Sequence, residues 1–184
     1  RKLSMIWNMY DFFTMYAEVD GWEYDGVLRD LLTGKSLTSV SSGAGDASVK
    51  SVLSPSDGKS EPSETESGNF PGLSNPLDIW IVSRVHQLTA EVERHMDGYN
   101  IPDAMSPILP FIDDASNWFV RRSRRRFWKS EDDGDKNDAY KTLHYVLVRL
   151  SYLLAPFTPF LAEELYRNMT GDSESVHLKN WLPA

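Results

Sequence analysis

From Leu77 to Met96 an apolar residue returns at every third or fourth position: Leu77, Ile81, Val85, Leu88, Val92 and Met96. That spacing predicts one buried face of an α-helix lasting about five turns, and it excludes a half-buried strand, which alternates at every second residue. The ends are marked as well. Asn75-Pro76 reads as an N-cap followed by proline at the first helical position, Asp78 falls where the helix dipole favours an acid, and Asp97-Gly98 reads as the stop.

The same period recurs along the chain. Leu3, Ile6, Tyr10, Phe13 and Ala17 share a face, widened by Trp7, Phe12 and Tyr16, so this first helix needs neighbours on more than one side. A third segment runs from Pro102 to Trp128 with Ile108, Ile112, Ala115 and Phe119 on one face. Trp118 lies beside that stripe and is expected in the core. Pro107 and Pro110 predict a kink or loop at its start. Leu143, Leu147, Leu150 and Leu154 announce a fourth helix that stops before Pro156. Thr158-Pro159 opens a fifth, with Thr158 as cap, Glu163 and Glu164 near its positive end and Gly171 after it. Val176-His177-Leu178 reads as a short extended piece. Five antiparallel helices with almost no strand pattern define an all-α helical bundle.

Between Gly34 and Gly68 the composition changes: 11 serines and two prolines appear, and no aromatic residue stands between Tyr24 and Phe70. Such a stretch buries too little apolar surface to offset the entropy of ordering it, about 1 to 2 kcal/mol per residue. The expected organisation is a first helix over 1–34, a flexible serine-rich insertion over 35–74, the main bundle over 75–171 and a terminal segment over 172–184. The chain opens Arg1-Lys2-Leu3 and reads as a piece of a longer protein.

The chain has 184 residues and a net charge of -8, which argues against a uniformly basic nucleic-acid binder and leaves room for a local basic patch. No cysteine is present, so disulfides, thiolate metal sites and a cysteine nucleophile are excluded. His86, His95, His144 and His177 show no helical metal-site spacing. There is no glycine-rich phosphate loop, and no apolar run approaches the roughly 20 residues that cross a bilayer. Catalytic and metal residues are therefore not expected, and neither is a membrane partner.

One cluster carries chemistry. Arg121, Arg122, Arg124, Arg125, Arg126 and Lys129 fall within nine positions, together with Phe127 and Trp128. Guanidinium forks fit phosphate oxygens, and aromatic faces accept unstacked bases, so this helix end suits single-stranded or looped RNA. The same cations could complement the helix dipole and pair with Glu131, Asp132, Asp133 and Asp135 just downstream. A helix turns about 100° per residue, so the arginines must diverge. Arg121, Arg125 and Trp128 share one face and Arg122 and Arg126 another; one set is expected to bond inside the bundle and the other to meet RNA. A helical protein-interaction module is the contrasting reading.

The run from Asn117 to Trp128, NWFVRRSRRRFW, strongly resembles the anticodon-binding domain of isoleucyl-tRNA synthetases. Trp7-Asn8 through Tyr16-Ala17, Leu77 to Arg84, Leu154 to Tyr166, and Ser175 to Leu178 with Trp181 agree with that family in order. At the position of Ile79 the family usually has arginine or lysine. Valyl-tRNA synthetase is the nearest competitor among the class I enzymes that share the bundle. The resemblance implies recognition of the anticodon stem-loop of isoleucine tRNA, in the cytoplasm, with the catalytic and editing domains of a longer chain as further partners. It implies that ATP with magnesium serves that parent enzyme, whose His-x-Gly-His and Lys-Met-Ser-Lys-Ser type signatures are not found here. No cofactor and no activity are expected of these residues alone.

Overall fold

The computed structural model describes residues 2–26, 28–31, 73–128 and 133–182. It builds an all-α bundle: α1 (Lys2–Asp20), α2 (Pro76–Asp97), α3 (Ile101–Met105), α4 (Ile108–Asp113), a π-helical turn (Asp114–Val120), α5 (Arg121–Trp128), α6 (Asp133–Leu154), α7 (Pro159–Thr170) and a 3-10 turn (Val176–Leu178). The serine-rich stretch from 35 to 72 lies outside the described residues. Leu28 and Leu73, on either side of it, are both buried.

The helix α2 forms as its signals dictate. Asn75 Oδ1 accepts a hydrogen bond from the Leu77 amide at 3.0 Å, and the Gly98 amide closes the other end by donating to the Arg94 carbonyl. Ile81, Val85, Leu88 and Val92 are buried along the expected stripe. In α1 the buried face is Ile6, Met9, Phe13 and Ala17, with Phe12, Tyr16 and Trp22 packed against the core from its flanks.

The bundle is organised around α6, in which every residue from Thr142 to Leu154 is buried. The four-leucine seam is thus only one side of a helix surrounded by neighbours, which its run of Leu, Val and Tyr permits. Its polar members are accommodated individually. His144 donates from Nε2 to the Met169 carbonyl at 2.8 Å and stacks on Tyr24 with ring centroids 4.3 Å apart. Arg149 Nε donates to the Tyr145 hydroxyl at 3.0 Å, and Tyr145 lies 2.8 Å from His86.

Several expectations change. The third segment divides into α3, α4, the π turn and α5, with the expected kink or loop realised as a break between α3 and α4. Pro107 occupies the cap of α4 and Pro110 its first turn, where a missing amide breaks no hydrogen bond, so the interruption falls at Ser106-Pro107. The fourth helix starts ten residues before Leu143, so Asp133 and Asp135 belong to its first turn. Thr158 sits at the cap of α7, but its hydroxyl approaches the Leu154 carbonyl at 3.5 Å and caps nothing. Glu163 and Glu164 lie beyond the first turn. Glu163 accepts from Ser175 Oγ at 2.8 Å and from the Val176 amide at 3.1 Å, tethering the terminal segment to α7. That segment forms a 3-10 turn, not an extended piece, because Ser175 Oγ also accepts from the His177 amide. Gly171 ends α7 at φ 67°, a left-handed conformation that glycine adopts without a Cβ penalty.

Candidate nucleic-acid interface

The arginine helix is positioned by the buried stripe of the third segment. Ala115, Phe119, Ser123 and Phe127 continue Ile108 and Ile112 at steps of three and four, and all six are buried. Phe127 is 1% exposed and meets Phe12 and Tyr140 edge-to-face at 5.2 and 4.9 Å. Burial of a phenylalanine contributes roughly 1.5 to 3 kcal/mol, so this ring fixes the rotation of α5. With that face turned inward, Arg121, Arg122, Arg124, Arg125 and Trp128 are all exposed.

Along one flank α2 runs antiparallel to the π turn and α5, and the contacts form rungs. Arg84 bonds Asp114 at 3.2 Å. Next, the Trp80 and Trp118 rings lie 6.4 Å apart. Then Arg126 grips Asp78 with two donors, both at 2.7 Å. Asp78 is 0% exposed, and Arg126 also reaches Asp135 at the start of α6, with Nε donating at 2.8 Å. Asn75 donates to the same Asp135 at 3.2 Å. Burial pushes the Asp78 carboxyl upward against the pull of Arg126. For Asp135 the desolvation is outweighed by the Arg126 and Asn75 hydrogen bonds, which lower it.

The cluster is therefore divided. Arg121 and Arg125 share an exposed face with Trp128, which is 81% exposed. Arg122 and Arg126 part company: Arg126 turns inward to its carboxylates, while the Arg122 guanidinium lies 3.9 Å from the centre of the Trp118 ring. Arg124 leans over Phe12 at 5.8 Å. Arg126 and Phe127, both expected to face RNA, are held inside the bundle by ion pairing and by aromatic packing. Lys129 lies outside the described residues, as do Glu131 and Asp132.

Trp118 was expected in the core and is instead 51% exposed. It neighbours the buried Phe119, but the stripe is narrow here, and the ring points towards α2, where Trp80 covers only part of it. Sequence spacing could not separate the two positions. The signal that could have found it was the paired placement of Trp80 and Trp118 on facing helices, legible only once α2 and α5 are known to be antiparallel neighbours.

Among the described residues Arg121, Arg122, Arg124 and Arg125 have no carboxylate within ion-pair distance, although the chain carries 27 acidic against 19 basic residues. Several other cations are paired, among them Lys136 with Asp20, Arg167 with Glu163, and Lys179 with Asp172 and Glu174. No group of acidic or histidine side chains among the described residues is arranged to hold a metal ion, and no helix there is long and apolar enough to cross a membrane.

The isoleucine–tRNA ligase of Treponema denticola is 37% identical over 181 residues, covering 97% of this chain and 14% of the ligase. Those of Dehalococcoides mccartyi and Clostridium acetobutylicum are 39% and 36% identical over 184 residues, with the same two coverages. The chain thus spans 14% of the length of the curated relatives it matches. The family described as the anticodon-binding domain of tRNA ligase matches residues 78–184, from the buried carboxylate of α2 through the arginine helix to the terminal segment. With more than half of its length matched in this way, the chain belongs to the family of anticodon-binding domains of tRNA ligases.

Proposed function

We propose that this chain recognises the anticodon stem-loop of isoleucine tRNA as part of an isoleucine–tRNA ligase. The observation that carries the reading is the set of four exposed arginines, Arg121, Arg122, Arg124 and Arg125, with no carboxylate in ion-pair distance among the described residues, on a molecule of net charge -8. Exposed guanidinium groups fit phosphate oxygens through two parallel donors, and a helix that spreads them over its open arc follows a curved backbone better than a flat one. The named relatives are isoleucine–tRNA ligases, which favours isoleucine over the valyl alternative. Attachment of the amino acid, with ATP and magnesium, belongs in this reading to other parts of the longer protein. The residues present here bind and orient the RNA.

The test is a titration of the chain with anticodon stem-loops of isoleucine, valine and an unrelated tRNA over a range of salt concentrations. If about four phosphates are neutralised, log affinity falls against log salt with a slope of roughly -3, taking about -0.7 per contact. Arg121→Glu and Arg125→Glu should each weaken binding and make the slope shallower by at least about 0.7. Affinity that ignores salt, or a slope unchanged in both variants, overturns the reading and favours a protein-interaction surface.

A further inference from the structure

Arg122 and Trp118 form a unit that phosphate binding alone does not explain. The guanidinium lies over the indole at 3.9 Å from the ring centre, and no carboxylate among the described residues is within ion-pair distance of it. Its flank-mate Arg126 takes the buried Asp78, the acid that α2 presents on this side, so Arg122 is left to the ring. Trp118 in turn is braced from α2 by Trp80, at 6.4 Å and an interplanar angle of 50°, yet half of its surface stays open. The rungs on either side, Arg84 with Asp114 and Arg126 with Asp78, fix the two backbones between which these rings sit. The result is a braced indole with a guanidinium layered over it, the two planar groups together open to solvent.

A planar heterocycle with polar edges and a flanking phosphate matches such a surface. A base within a duplex cannot reach it, because both of its faces are covered by neighbours. We infer that the Trp118–Arg122 pair is the stacking site for one unpaired base of the bound RNA, which rests on the reading of the arginine helix as an RNA interface. Trp128 is more exposed but stands at the last position of α5 and makes no ring or cation contact among the described residues. A braced ring loses less freedom on binding than a free one, and Trp118 is therefore the stronger platform.

Two RNAs test the inference: the isoleucine anticodon stem-loop, and a blunt duplex of the same stem without the loop. Trp118→Ala should weaken stem-loop binding about 10-fold, within the usual range for loss of one stacked base, with the salt slope and the duplex affinity unchanged. Trp118→Phe should restore most of the affinity while losing the part of the fluorescence quenching that RNA causes through Trp118. Salt-dependent stem-loop binding that Trp118→Ala leaves untouched, in a variant whose helix content matches the parent, refutes the stacking site and leaves the RNA reading standing. Absence of salt-dependent binding to either RNA by the unaltered chain removes both.

Discussion

Asp78 anchors the arginine helix from outside it, alongside the buried Phe127 ring. A fully buried carboxylate must be paired, and the bidentate grip of Arg126 supplies two of its hydrogen bonds while Asp135 takes the remaining donor. Removing one partner of a buried pair typically costs about 3 to 5 kcal/mol. Because Asp135 still holds Arg126, Asp78→Asn should destabilise the chain by about 2 to 3 kcal/mol in urea unfolding. An unchanged unfolding midpoint would show that the pair is dispensable. From sequence, Asp78 reads as an acid placed for a helix dipole and Arg126 as one of several cations on a helix end. That these two residues, 48 positions apart, neutralise each other depends on how α2 and α5 pack, a long-range relation that no local spacing encodes.

At the level of elements, legibility follows the physics that shapes each one. The stripe of α2, most of that of α1, the Asn75 cap and the Gly98 and Gly171 stops were readable because they depend on period and on local backbone chemistry, although Leu3 of the predicted α1 face is exposed. The split of the third segment was half readable: proline announced a disturbance, but where the first turn of α4 would place Pro110 harmlessly was not visible. The seven-residue π turn was not readable at all, since its wider hydrogen-bonding pattern leaves no local residue signature, and its own Ala115 and Phe119 keep the buried stripe's spacing of four. The candidate site was legible as a cluster and illegible as a surface. Of its residues, Arg126 and Phe127 turned inward, while Trp118, expected in the core, turned out beside them. The cap at the start of α2 belongs to the same scale. Asn75→Ala deletes the bond to the Leu77 amide and the bond to Asp135, and should cost about 1 kcal/mol or slightly more by chemical denaturation. A variant as stable as the parent would place the helix start elsewhere.

For the whole molecule, α6 is the axis on which the other helices close, and its buried imidazole makes stability depend on pH. Burial holds His144 down to about 4 from an ordinary 6.5, opposed weakly by the hydrogen bond to the Met169 carbonyl. The folded chain therefore binds fewer protons than the unfolded chain between these two values. Stability rises with pH through that window, is complete above about 6.5, and falls as the pH drops towards 4. The separation corresponds to a loss on the order of 3 kcal/mol. His144→Gln keeps a donor for the Met169 carbonyl and should flatten this dependence when unfolding free energy is followed between pH 4 and 7. A profile of the same steepness would assign the acid sensitivity to other groups.

The exposed arginines also acquire, in the proposed reading, a meaning that depends on the rest of the surface. A polyanion nearing a molecule of net charge -8 is repelled from most directions and drawn in where Arg121, Arg122, Arg124 and Arg125 are gathered. In the proposed reading the acidic excess acts as an orientation filter, discarding misaligned encounters before any contact forms. Affinity given up to overall repulsion returns as fidelity of pose, and a version of this chain made basic throughout would hold RNA more tightly while losing control of which way round it sits.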